Sequence, residues 1–222
     1  MTHLKLLLSL LVACFGTGLT AQTLTISDEL PLRSDTEYRL LGKLGGQTLL
    51  LQDRSNKQIV TSYDRRMQQT WEKDLELMGR STKIVDVISD ERFFNLIYTF
   101  RDKSHTFLRV DRYDPAANLR DSATVFDMGY TFATPEWKME RSEDRTKVLV
   151  YAEKDNNKID AYAIDLNGLE LLYHYELQPD DFYFGESFLQ ALIDNKGNMH
   201  VALERDNFQS RRKEHTYELY TY

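Results

Sequence analysis

"TKVLVYAEKDNNKIDAYAIDLNGLELLYHYEL", residues Thr146 to Leu177, is the stretch that decides the fold. It opens on an apolar run, Val148 to Ala152, and crosses a charged loop. It returns as "IDAYAID", where apolar and polar residues alternate with the period of a half-buried strand. Asn167-Gly168 then separates it from "LELLYHYEL". Asn-Gly suits a type I′ turn, because both central residues of that turn need φ > 0. The segment therefore reads as consecutive β-hairpins.

The same pattern occurs three more times. The copies are "QTLLLQDRSNKQIVTSYDRRMQQTWEKDLEL" (Gln47 to Leu77), "RFFNLIYTFRDKSHTFLRVDRYDPAANLRDSATVF" (Arg92 to Phe126) and "NMHVALERDNFQSRRKEHTYELYTY" (Asn198 to Tyr222). Each returning strand ends on an aromatic or aliphatic residue: Tyr63-Asp64, Tyr113-Asp114, Ile164-Asp165, and Tyr220-Thr221 without the Asp. The period is roughly fifty residues, within the range of repeat architectures. A further strand precedes each copy: "EYRLLGKL" (Glu37 to Leu44), "TKIVDVIS" (Thr82 to Ser89), "PEWKMERS" (Pro135 to Ser142) and "SFLQALID" (Ser187 to Asp194). Gly45-Gly46 and Lys196-Gly197 mark the turns after the first and last of these. "YDRRMQQTWEKDLELM" (Tyr63 to Met78) carries a helical stripe of Met67, Trp71, Leu75 and Met78, but its phase in the repeat makes it a strand.

Four strands in about fifty residues resemble one blade of a β-propeller. The likeness runs from Glu37 to Tyr222 and is architectural. There is no WD dipeptide, no Kelch double-glycine pattern and no full NHL signature. It implies an all-β, β-propeller-like domain over residues 22–222, with about four blades of up-and-down antiparallel strands. The last copy ends after its third strand, and "TLTISDEL" (Thr23 to Leu30) is a spare one. Closure by that N-terminal strand is one reading; an open array and the front part of a larger propeller are the others.

The first 21 residues read as a signal peptide, with Lys5 in the n-region and an apolar core from Leu6 to Phe15. That core is about half of the roughly 20 residues a spanning helix needs. Cleavage after Ala21 competes with lipidation of Cys14 in "LVAC". Both readings export the chain, to a bacterial periplasm, cell surface or medium. Cys14 is the single cysteine, so no intramolecular disulfide can hold the fold.

Composition narrows the functional classes. A net charge of −7 argues against nucleic acid, and the one basic run, Gln209 to Lys213, reads as a solvated loop. The sequence holds no G-x-S-x-G, phosphate loop, dinucleotide fingerprint or H-E-x-x-H. No catalytic, metal or cofactor residue is therefore assigned. "DNKGN" (Asp194 to Asn198) departs from a calcium loop, with Lys196 and Arg205 at the third and twelfth positions and Gly197 two places early. Asp194 is expected to bind its own backbone instead, as are the phased Asp64, Asp114 and Asp165. "SEDRTKVLV" (Ser142 to Val150) faintly resembles the structural Asp-box of sialidases, which implies no activity. His200 takes a strand position.

Aromatic residues are the remaining candidates. Phe182, Tyr183, Phe184 and Trp137 are the expected ligand-binding rings, with Trp71 and Tyr130 behind them. The expected function is an exported, non-catalytic binding or scaffold protein holding a protein or glycan on its rim loops. A polysaccharide-acting hydrolase or lyase and a truncated remnant of a longer propeller are the alternatives.

Overall fold

A computed structural model describes residues 24–30, 34–54, 57–131, 135–180, 189–205 and 216–222. The signal peptide, Cys14, Phe182, Tyr183 and Phe184 lie outside these described residues. No described helix is long and apolar enough to cross a membrane.

Fifteen strands form four antiparallel sheets among the described residues. The first holds β1 (Thr36–Leu44), β2 (Gln47–Arg54), β3 (Lys57–Tyr63) and β4 (Gln69–Leu75). The second holds β5 (Arg80–Ser89), β6 (Phe94–Asp102), β7 (His105–Tyr113) and β8 (Leu119–Tyr130). The third holds β9 (Lys138–Arg141), β10 (Lys147–Lys154), β11 (Lys158–Asp165) and β12 (Glu170–Leu177). The fourth holds β13 (Leu189–Ile193), β14 (Met199–Arg205) and β15 (Thr216–Thr221). In every sheet spatial order follows chain order, so each is an up-and-down meander. The fold is all-β and propeller-like, with four blades. The ambiguous Tyr63–Met78 segment does carry a strand, β4, which turns Trp71 and Leu75 toward the next sheet.

Period-two alternation gives the inner strands of the second and third sheets two apolar faces. Leu49 and Leu51 of β2 meet Phe94, Leu96 and Tyr98 of β6 in a core between the first and second sheets. Ile97 of β6, with Leu108 and Val110 of β7, meets Val148 and Val150 of β10 in the next core. Leu149 and Tyr151 of β10 meet Met199, Val201 and Leu203 of β14 in the third. Four sheets thus share three cores among the described residues.

The terminal faces differ in chemistry. Opposite Leu49 and Leu51, β2 presents Thr48, Leu50 and Gln52; opposite Met199 and Val201, β14 presents His200, Ala202 and Glu204. The β14 face tolerates water, as the end of a repeat array must, whereas Gln52, Ile59 and Thr61 on the outer face of the first sheet are themselves buried. Among the described residues the closing strand expected from Thr23 to Leu30 is not formed. Residues 24–30 carry no strand, Leu24 and Ile26 are 82% and 76% exposed, and the fourth sheet has three strands. This segment lies near the first sheet: burial, then Tyr38, Glu72 and Asp28, push the Tyr63 phenol up.

One turn corrects the sequence reading. Neither Asn167 nor Gly168 adopts a positive φ; Leu169 does, at 52°. The Asp165 carboxylate accepts the Asn167 amide at 2.7 Å, which opens a four-residue loop and moves the left-handed position along the chain. Two-residue turns with both φ positive sit instead at Gly45-Gly46, at 55° and 83°, and at Lys103-Ser104, at 47° and 75°.

Candidate functional site

The phased aspartates are turn residues. Asp64 Oδ1 accepts the Arg66 and Gln68 amides at 2.7 and 3.0 Å. Asp114 Oδ1 accepts the Ala116 and Asn118 amides, both at 2.9 Å. Asp194 Oδ1 accepts the Lys196 and Asn198 amides at 2.9 and 2.8 Å. In all three turns the third residue after Asp takes a left-handed φ: Met67 (59°), Ala117 (54°) and Gly197 (94°). Burial raises the Asp194 pKa, but the Asn198 side chain and these amides outweigh it and hold the carboxyl at about 2. "DNKGN" is thus a closed turn whose acceptors are already used. The Ser142 segment is likewise a turn, with Asp144 Oδ1 accepting the Ser142 hydroxyl at 2.7 Å and the Thr146 amide at 3.0 Å.

Trp137 and Tyr130 come together; Trp71 does not join them. Trp71 lies against the core of the first two sheets and donates its indole N–H to Gln47 at 3.1 Å. Trp137 and Tyr130 line a cleft of about 590 Å³ on the rim between the second and third sheets. The end of β8 supplies Phe126, Asp127 and Tyr130. The approach to β9 supplies Trp137. The β10–β11 turn supplies Lys154 and Asp155. Asp160 and Tyr162 come from β11, and His174 comes from β12. Trp137 immediately precedes the four-residue β9 and lies outside its ladder.

The wall from the third sheet is rigid. Period two puts Asp160 and Tyr162 on one face of β11, and strand register puts His174 beside Tyr162. The Tyr162 and His174 rings stack at 4.5 Å between centroids and 5° between planes. The Tyr162 hydroxyl donates to Asp160 Oδ2 at 2.9 Å, and His174 Nε2 lies 2.5 Å from Asp160 Oδ1. Burial, then the Asp160 charge, push the Tyr162 phenol far up, so it remains a hydrogen-bond donor. Phe126 tilts against both rings, and Trp137 meets Tyr162 edge-on at 5.7 Å.

On the opposite wall Asp127 is held by His105, whose Nδ1 lies 2.8 Å from Oδ2, and by the Gly129 amide at 2.8 Å. The His105 contact, then that amide, hold its carboxyl below the ordinary range. Besides the exposed Asp155, two aromatic groups in the cleft remain uncommitted. Trp137 is 9% exposed, and its Nε1–H is buried without a hydrogen-bond acceptor. Tyr130 is 70% exposed at the mouth. Phe126, Asp160, Tyr162 and His174 were not singled out from the sequence. Alternation pairs Asp160 with Tyr162, but Phe126 reaches them only across a sheet boundary. Three other clefts among the described residues have no aromatic wall.

No family model and no curated protein matches the chain. Among solved structures it is similar to the Dos1 propeller, at 11% identity and a TM-score of 0.42, over 71% of this chain and 40% of that one. It is also similar to prolyl oligopeptidase B from Galerina marginata bound to a 35mer hydrolysis and macrocyclization substrate, at 15% identity and a TM-score of 0.39, over 76% of this chain and 23% of that one. The apo form of that protein aligns at 10% identity and a TM-score of 0.41, over 79% of this chain and 25% of that one. The chain spans less than half the length of each.

Proposed function

We propose that the chain is an exported, non-catalytic binding or scaffold protein that holds its ligand in the rim cleft between the second and third sheets. The observation that carries this is the buried Trp137 Nε1–H without an acceptor, in a cleft with aromatic walls. A buried donor left unpaired costs about 1–3 kcal/mol, and a ligand oxygen would recover that loss. The cleft volume falls within the range of small-ligand sites.

Its carboxylates favour binding over turnover. A glycosidase needs one carboxyl to protonate the leaving group and a second to act as base or nucleophile. Both oxygens of Asp160 are engaged by Tyr162 and His174, and Asp127 is engaged by His105 and Gly129, which leaves Asp155 as the one uncommitted carboxylate of the three lining the cleft. Export rests on the leader over residues 1–21. The intact mass of the secreted protein tests it: a chain starting at Gln22, or an acylated Cys14, supports export, and an uncleaved Met1 overturns it. For the binding reading, polysaccharide turnover abolished by Asp155→Asn would replace it with a hydrolase or lyase.

A further inference from the structure

We infer that the rim cleft takes an uncharged sugar ring of a glycan. This rests on the cleft being the binding site and names the chemistry it selects. Three features must be satisfied together.

The first is the buried Nε1–H of Trp137, a side chain that lines the cleft, which needs an acceptor. The second is the excess of carboxylate. Asp127, Asp155 and Asp160 outnumber Lys154 and His174 among the lining residues, which opposes an anionic ligand and rewards hydroxyl donors. The third is the apolar surface. Tyr130, largely exposed, offers a flat aromatic ring to the cleft.

A cation would satisfy the carboxylates and leave the indole N–H unpaired. An anion would satisfy the N–H and meet the carboxylates. An apolar ligand would satisfy neither. A pyranose carries donors, acceptors and a C–H face on one small ring, and it brings no charge into the site. The prearranged Tyr162–His174–Asp160 wall lowers the ordering cost of such a ligand.

The test uses the indole itself. The chain has two tryptophans, so Trp71→Phe leaves Trp137 as the only indole. In that background, fluorescence titration is run with neutral cello-, malto-, manno- and xylohexaose, with hexagalacturonate as the anionic probe and chitosan hexamer at pH 5 as the cationic one. The expected result is saturable binding of at least one neutral hexaose. Tyr130→Ala and Asp155→Ala, both at the mouth, should each weaken it roughly tenfold, the loss of one hydrogen bond or one ring contact. Calorimetry with Trp137→Phe should show a similar loss, with near-UV circular dichroism reporting whether the core stays packed.

Binding of only the charged probes, weakened by the mouth substitutions, would keep the cleft and overturn the sugar. Neutral binding that ignores Tyr130 and Asp155 would overturn the cleft as its site. Failure of every neutral hexaose to bind would overturn the sugar inference.

Discussion

At the scale of single residues, the turns carry the most legible physics. Asp64, Asp114 and Asp194 each cap a hairpin turn and place a left-handed residue three positions on. Only Gly197 of the three left-handed residues suits that conformation freely. A non-glycine residue there costs about 1–2 kcal/mol. Met67→Gly should therefore raise stability by up to about 1 kcal/mol, net of the added chain entropy of glycine, measured by urea unfolding. Gly197→Ala should lower it, because the φ is 94° and the new Cβ would sit 2.8 Å from Leu172 Cδ1. These carboxylates also set the response to acid. Asp114, Asp144 and Asp194 have pKa values below the ordinary 3.8, about 2 for Asp194. The unfolded state binds protons first, so their contribution is complete above 3.8 and lost as pH falls through the folded values. Asp111 runs the other way: burial raises its pKa, so the cost of its charge is relieved on acidification. The lowered group is the larger, and stability should drop between pH 4 and about pH 2. Asp194→Asn should flatten that drop; an unchanged urea midpoint profile would show that the turn charge contributes nothing.

At the scale of elements, the second sheet is held by a buried ion pair. Arg109 Nε donates to Asp111 Oδ1 at 2.8 Å, and the Tyr98 hydroxyl donates to Asp111 Oδ2 at 2.8 Å while accepting the Met78 amide at 3.2 Å. Asp111 is 2% exposed. Asp111→Ala would leave the Arg109 charge buried and unpaired, and should cost about 3–5 kcal/mol, read from the denaturation midpoint. The β4–β5 connection is equally tight. Gly79 has a φ of 83°, and a Cβ there would lie 2.2 Å from the Phe100 ring. Gly79→Ala should therefore destabilise more than any exposed alanine substitution. The strand assignment of β4 was legible in the sequence because repeat phase overrode its helical stripe. The loop after Asp165 was misread, because a side-chain hydrogen bond displaced the turn that Asn-Gly favours.

At the scale of the molecule, four sheets stand in sequence with three cores between them, and the first and last sheets end on mixed polar faces. The leading segment does not join the last sheet, so removing residues 22–31 should leave the melting temperature nearly unchanged. A large drop would instead show that Leu24 and Ile26 form the missing fourth strand beside β15, whose Leu219 is 72% exposed. The two outcomes separate an open array from closure in solution.

The sequence by itself determined the strand content, the four copies, the period and the turn role of the aspartates. All of these follow from local rules: side-chain alternation, Asp-initiated turns and repeat phase. Tertiary packing was needed to show which copies pack face to face, that the described sheets do not close on one another, and that Trp137 and Tyr130 share a cleft with Tyr162 and His174. The reason is geometric. The cleft lies between two sheets, and strand periodicity specifies faces within one sheet but not which residues of a neighbouring sheet will stand opposite them.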